Sequence, residues 1–328
     1  MDLVDRINCQ IGGVVYVDYG QYIIDRPVNA RCSVVVEGGA DIVVGAPVSM
    51  LPGSSWSSIG SRHNLIKQGG SNLFTVKGDG VRLSGFETDE HLSTGGYTVM
   101  LDTAQHIQKF RFKDVRTHHS LGLIADNSNP SGMIIDLEMD DVMARLLRGR
   151  ASYLTRAFAY IFLRKCTADY IGNLAEVGVP AWSFFNVEGL HLDHVDVTGT
   201  AATGGKSEQH GFWFQGCRAV VLGHTMADSV GGRGHAFVGC HYIESQNMKS
   251  SLVGGFGLTV QGSTTDLRMD KVYLSGRNGL PAPTTQALIW TDGTNQNLYG
   301  ADVLTERCAV INSGYSAQEI AWGRGFNR

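Results

Sequence analysis

The chain is short of the features by which many protein classes are recognised. Only 7 of its 328 residues are proline, which argues against a Pro-rich linker or polyproline stalk. Charged residues make up 18%, below the roughly 25% of an ordinary globular chain, so polar work falls to Asn, Gln, Ser, Thr and His. A formal net charge of −4 offers no bulk attraction for nucleic acid or an anionic membrane surface. No run approaches the ~18 apolar residues of a membrane span, and no membrane insertion is expected. Met1-Asp2-Leu3-Val4-Asp5 lacks the basic and apolar pattern of a signal peptide. The cysteines Cys9, Cys32, Cys166, Cys217, Cys240 and Cys308 include no CxxC pair, which removes the usual zinc and thiol-redox motifs. Neither a metal nor a cofactor is implied.

What the chain has is glycine, at 42 residues, and a hydrophobic content of 43%, enough for one large core. Much of this apolar content is arranged as a recurring five-residue unit. Phe212-Trp213-Phe214-Gln215-Gly216 alternates inward Phe212 and Phe214 with outward Trp213 and Gln215, the period of a strand with one buried face. Related units are Phe74-Thr75-Val76-Lys77-Gly78, Phe185-Asn186-Val187-Glu188-Gly189, Leu258-Thr259-Val260-Gln261-Gly262 and Ile289-Trp290-Thr291-Asp292-Gly293, with a shortened Ala236-Phe237-Val238-Gly239-Cys240. A second alternating column follows the first, including Phe110/Phe112/Val115, Leu137/Met139/Val142 and Leu190/Leu192/Val195. Two or three short strands per turn of about 20–30 residues describe a parallel β-helix, whereas a propeller blade needs four strands in about 40–45 residues.

The expected fold is therefore all-β: a single-stranded right-handed parallel β-helix, or solenoid, of about nine to eleven coils. It forms one domain over residues 1–328, with an N-terminal cap at 1–13 that includes a short helix, coils at 14–315 and a C-terminal cap or tail at 316–328. Leu3, Val4 and Ile7 give that helix its apolar side. Residues 46–64, with Trp56 among polar neighbours, read as a loop, as do residues 198–209. Val142–Arg148 has helical spacing and opens a basic segment continued by Arg150, Arg156, Arg164 and Lys165. Cys217 and Cys240 each follow a Gly that closes a unit and are expected to stack as buried thiols rather than a disulfide.

The opening Gly12-Gly13-Val14-Val15-Tyr16-Val17-Asp18-Tyr19-Gly20-Gln21-Tyr22-Ile23-Ile24, followed by Pro27-Val28 and Val34-Val35-Val36-Glu37-Gly38, resembles the first coils of the pectate-lyase-like superfamily. That resemblance implies the same fold and leaves the chemistry open among lyases, hydrolases, epimerases and phage spikes. Gln209-His210-Gly211 is similar to the His-Gly element of polygalacturonase-like hydrolases, but the Asp140-Asp141 pair lies far upstream of it and no Arg-Ile-Lys follows. Leu192-Asp193-His194 is faintly similar to a pectate-lyase strand, without the arginine element that supplies its base. Neither active site carries over. The remaining branch is the spike or fibre of a phage or phage-like particle, released by lysis without a signal peptide. It implies a capsular or envelope polysaccharide as partner, other particle subunits, and a homo-oligomer, commonly a trimer, on the virion surface. A secreted enzyme is the alternative localisation.

Two sets of residues are candidates for function. The outward row Asn186, Glu188, Trp213, Gln215, Gln261, Trp290 and Asp292 suits a sugar, since an indole covers the apolar face of the ring and planar amides and carboxylates take its hydroxyls. If the protein is a polysaccharide lyase or glycoside hydrolase, Glu208, His210, Asp228 and His235 are the acid/base set, because imidazole titrates near neutrality and a carboxylate can tune it. The competing reading is that both histidines are hydrogen-bonded turn residues. His118-His119 lack any metal-like third ligand in the sequence, and Asp89-Glu90 and Asp140-Asp141 read as solvated turns rather than a glycosidase pair.

Overall fold

In the computed structural model the chain is an all-β parallel β-solenoid of about nine turns with one short helix. The residues described are 1–170, 179–199, 210–276, 287–291, 296–300, 302–306, 310–313, 320–322 and 326–327. They fall into two compact units, Met1–Phe162 and Leu163–Arg328.

The first unit begins with the helix Leu3–Cys9, capped by Asp2, whose side chain accepts from the Asp5 backbone N–H at 2.9 Å. Leu3, Val4 and Ile7 are buried, as the spacing predicts. Short strands then stack in parallel register, Val48 on Phe74, Phe74 on Val99 and Val99 on Ile124. A second ladder is built from longer strands, among them Arg82–Asp89, Ile107–His118 and Ile134–Leu147.

Two expectations fail in this unit, for related reasons. The segment 46–64 is not a loop: it contributes strands Val48–Met50 and Ser55–Ile59, followed by His63–Lys67. Trp56 lies wholly inside, with its ring 5.4 Å from that of Phe74. Its N–H donates to His63 Nε2 at 2.8 Å, so the one polar atom of the indole has a partner and the ring can be buried. The helical spacing at Val142–Arg148 likewise belongs to a strand. Buried residues there are Ile134, Leu137, Met139, Val142, Ala144 and Leu147. Each three-residue step in that series contains one residue with positive φ, namely Asp136, Asp141 or Leu146. A single left-handed residue bends the strand at a corner of the coil and shifts the inward parity by one, so that three-residue steps interrupt the period of two and imitate the i, i+3 spacing of a helix.

In the second unit Trp182, Phe212, His235, Leu258 and Ile289 form one ladder, and Phe184, Phe214, Phe237 and Val260 the next. The Phe214 ring stacks 5.4 Å from Phe184 and 5.1 Å from Phe237, nearly parallel to both. The turn after these strands is left-handed at Asn186, Gly216, Gly239 and Gly262. A Cβ on Gly216 would come within 2.4 Å of Asn186 Oδ1, so glycine is required there both for φ and for the close approach. One residue further on, Cys217 Sγ donates to Phe184 O and Cys240 Sγ to Phe214 O, each at 3.3 Å. Thr264 Oγ1 repeats the contact to Phe237 O at 3.4 Å. Both cysteines are free and buried, as expected, and burial pushes the Cys217 thiol well above its usual range. Within 316–328 the described residues pair in parallel, Ile320–Trp322 with Leu298–Gly300 and Phe326–Asn327 with Leu304–Thr305.

Candidate functional site

The first unit carries an open cleft of about 390 Å³ on the outer face of its second sheet, lined by Asp41, Asn64, Leu65, Ile66, Glu87, Thr88, Asp89, His118 and His119. Strand register builds it. Asp41 stands beside Asn64, Asn64 beside Glu87 and Glu87 beside Arg116, one residue per coil. The next outward row runs Val43, Ile66, Asp89 and His118. Because alternate residues share a face and neighbouring strands lie about 4.8 Å apart, residues remote in sequence form a compact grid.

The polar members of the grid are hydrogen-bonded. Asn64 Nδ2 donates to Asp41 Oδ1 at 2.8 Å. His118 Nε2 lies 2.7 Å from Glu87 Oε1. Asp89 Oδ1 accepts from the His91 backbone N–H at 3.0 Å and is 2.9 Å from His91 Nδ1 and 3.3 Å from His119 Nδ1. Partial burial would raise the Asp89 carboxyl, but the contacts with His91 and His119 outweigh it and hold the group below the usual carboxylate range. Arg116, at the edge, is paired with Asp141 at 2.8 Å. The arrangement presents planar acceptors and imidazole nitrogens in rows, suited to a polyhydroxyl ligand. Among the described residues no group of three His, Cys, Asp or Glu side chains is placed to hold a metal ion.

Sequence reasoning missed this site. His118 and His119, expected to lack a third metal-like ligand, are hydrogen-bonded to Glu87 and Asp89, and Asp89-Glu90 is not a solvated turn: Glu90 is wholly buried and ion-paired with Lys67 at 3.0 Å. Asp141 does sit at a turn, with φ of 55°. The missed signal is the return of outward polar residues from one coil to the next at 41, 64 and 87, visible only once the corners are placed.

In the second unit Trp213 and Gln215 share the outer face, and Trp213 Nε1 donates to Gln215 Oε1 at 3.2 Å. Trp213 is half-buried. The His210 ring stacks 5.6 Å from it, and the Arg233 guanidinium lies 5.3 Å from its centroid. The rest of the expected row is displaced. Ser183 and Phe185, not Asn186 and Glu188, stand beside Trp213 and Gln215. Asn186 occupies the left-handed turn next to Gly216, and exposed Glu188 lies beside Arg218. The unit at Phe185 was therefore read three residues out of frame. Gln261 is two coils from Gln215 in one column, with Val238 between. Trp290 pairs with Thr259 in register; its side chain and Asp292 lie outside the described residues, as do Glu208 and residues 200–209 of the expected loop.

Of the expected acid/base set, the described members His210, Asp228 and His235 each have their own hydrogen-bond partners. His235 takes the register position of Phe212 and points into the core, its ring 4.5 Å from the Phe212 ring. Ser250 donates its hydroxyl to Gly257 O at 2.7 Å, so His235 Nδ1–H donates to Ser250 Oγ at 2.9 Å and Nε2 accepts from Thr225 Oγ1 at 3.0 Å. This is a neutral, fully satisfied core histidine, lowered to about 3 by burial. His210 is lowered to about 4 by burial and the Arg233 charge, and its Nδ1 accepts the Arg233 backbone N–H at 2.9 Å. Asp228 accepts from Ser229 Oγ at 3.1 Å.

These histidines give a pH prediction. His63, lowered to about 4 by burial, joins His235 and His210 in remaining neutral in the folded state well below pH 6.5. The unfolded chain takes up their protons first, so stability present above pH 6.5 is lost as pH falls towards 4, by up to about 1.4 kcal/mol per pH unit per histidine. Urea midpoints from pH 8 to pH 4 are expected to be flat at first and then to drop. In His235→Phe the drop should be shallower; an unchanged profile would show that His235 does not titrate on unfolding.

No protein-family model matches the chain, and no curated protein matches it. Solved structures that align with it include the catalytic domain of a GH87 alpha-1,3-glucanase, at 12% identity over 95% of this chain and 64% of that one, with a TM-score of 0.44. The Dettilon tailspike protein aligns at 8% identity over 90% of this chain and 62% of that one, with a TM-score of 0.43. The A-module of an Azotobacter vinelandii mannuronan C-5 epimerase, AlgE6, aligns at 8% identity over 99% of this chain and 93% of that one, with a TM-score of 0.42. The chain thus spans less than two thirds of the glucanase and tailspike chains. All three are parallel β-helix proteins, and so is this chain. No helix among the described residues is long and apolar enough to cross a membrane.

Proposed function

We propose that this protein is a spike or fibre component of a phage or phage-like particle that recognises a capsular or envelope polysaccharide of the host surface. The observation that carries the polysaccharide reading is the outer cleft of the first unit, where Asp41, Asn64 and Glu87 offer hydrogen-bonding groups at one per coil, with Asp89 and His118 in the row beside them. That repeat is close to the rise per residue of an extended hexose polymer, so successive sugars meet successive coils. The particle assignment rests on the sequence resemblance. In the second unit Trp213 and Gln215 supply a further sugar contact, the exposed part of the indole against the ring face and the amide against hydroxyls.

A glycan array probed with the purified chain tests the reading. Binding to at least one surface polysaccharide is expected. Combined Asn64→Ala and Glu87→Gln should weaken it by roughly tenfold or more, given about 1.5–3 kcal/mol for a hydrogen bond to a charged group. Trp213→Ala should cost several-fold, from about 0.5–1.5 kcal/mol for an aromatic contact. Unaltered affinity in both variants would remove both sites from consideration. Native mass measurement addresses the proposed homotrimer and any further particle subunits.

A second reading is a polysaccharide lyase or glycoside hydrolase. It is favoured by the hydrogen-bonded His118–Glu87 couple in an open cleft, which can pass a proton to or from a bound sugar. Release of new reducing ends or of unsaturated-uronate absorbance from the bound glycan would establish it.

A further inference from the structure

A second cavity, of about 290 Å³, lies on the same strands of the first unit and is lined by Arg82, Leu83, Ser84, Arg111 and Lys113. It occupies the part of strands Arg82–Asp89 and Ile107–His118 that precedes the corner at Gly85 and Asp114, both left-handed, whereas the Glu87 cleft follows that corner. Arg82 and Arg111 are direct register partners, and Ser84 pairs with Lys113. Two guanidinium groups on adjacent rungs, about 4.8 Å apart at their backbones, repel one another unless an anion is shared between them.

The protein's own acids lie on the far side of this trio. Arg111 pairs with Asp136 at 2.9 Å and Glu138 at 3.0 Å, and Lys113 with Glu138 at 2.6 Å. All three contacts reach towards the strand Ile134–Leu147, on which Asp140 also stands beside Lys113. On the opposite side, Arg82 faces Ser55 of the preceding coil. Arg82 is exposed, and among the described residues no carboxylate or other acceptor reaches its guanidinium. The cavity therefore has one uncompensated guanidinium, a second held rigid by its acid partners, an ammonium and a serine hydroxyl.

We propose that this cavity is an anion site that takes the carboxylate, sulfate or phosphate group of an acidic sugar residue, so that the polysaccharide recognised is an acidic one. The inference rests on the polysaccharide reading above for the origin of the anion. Arg82 and Arg111 hold the oxyanion from two rungs, and Lys113 and Ser84 complete the contacts.

Calorimetric titration of the full chain tests this with three probes: inorganic sulfate, a glucuronic acid tetrasaccharide and its carboxyl-reduced neutral counterpart. Binding of sulfate and of the acidic tetrasaccharide is expected, weakening as ionic strength rises. In Arg82→Ala, whose side chain holds no structural contact, acidic binding should fall about tenfold, while any affinity for the neutral tetrasaccharide stays constant. Arg82→Lys should restore part of the loss. If neutral sugar binds as tightly as acidic sugar, or acidic binding ignores Arg82, the anion site is refuted and the polysaccharide reading stands. If sulfate binds through Arg82 but no saccharide on the array does, the anion site survives and the polysaccharide reading falls. Failure of both sulfate and acidic sugar to bind overturns the site outright.

Discussion

Lys67→Met is expected to lower the unfolding free energy by about 3–5 kcal/mol, the usual consequence of stripping one partner from a buried ion pair. Lys67 occupies an inward position in register with Val44, where the coil pattern calls for an apolar residue. Its side chain is 2% exposed and its partner Glu90 is 0% exposed. The ammonium donates to Glu90 Oε2 and to the carbonyls of Gly95 and Gly96, at 3.0, 3.0 and 3.1 Å. Glu90 Oε1 in turn accepts from Thr98 at 2.5 Å and Thr88 at 3.3 Å, and Ser120 reaches Oε2 at 3.3 Å. This network pins the segment 90–98 against the coils, next to Asp89 of the cleft. Methionine fills the space but leaves a buried carboxylate and two carbonyls without their cation. Denaturant titration would measure the loss, and Lys67→Met with Glu90→Gln should regain part of it, since the second change removes the orphaned charge. A loss below 1 kcal/mol, or no recovery in the double variant, would contradict this account.

Phe214→Ala should destabilise by a similar amount, about 3–5 kcal/mol, through lost transfer energy and the cavity left behind. The ring is wholly buried and lies between Phe184 and Phe237, with Phe212 beside it at 6.3 Å. Relaxation is restricted, because the neighbouring rings are themselves held by hydrogen-bonded strands in fixed register. Trp213→Ala, one residue away, removes a larger ring from the opposite face and should cost much less stability, its effect being on sugar binding. The contrast between these neighbours is a direct test of the inward and outward assignment. Equal losses of stability would overturn it.

Much of the architecture was legible because a strand buries alternate residues and a coil must repeat. The alternation at Phe212–Gln215 assigned the faces correctly, and the glycines at 216, 239 and 262 marked true left-handed turns. The Phe185 unit misled because Asn186, not Gly189, fills that turn: asparagine tolerates φ > 0 and so carries no visible punctuation. Counting back from Gly239 would have placed His235 at the Phe212 position and so in the core. Instead its polarity suggested a surface role.

The sequence by itself determined the β-solenoid, the N-terminal helix, the buried thiols and the outward position of Trp213 and Gln215, all of which depend on local periodicity and on residues that only certain backbone conformations accept. Only the tertiary structure decided what lies beside what. The grid of Asp41, Asn64, Glu87, Asp89 and His118, the Arg82–Arg111 pair and the Lys67–Glu90 bridge are contacts between coils, and their partners are fixed by strand register. Register depends on how many residues each corner consumes, and one left-handed residue changes that count without changing the apolar pattern on either side.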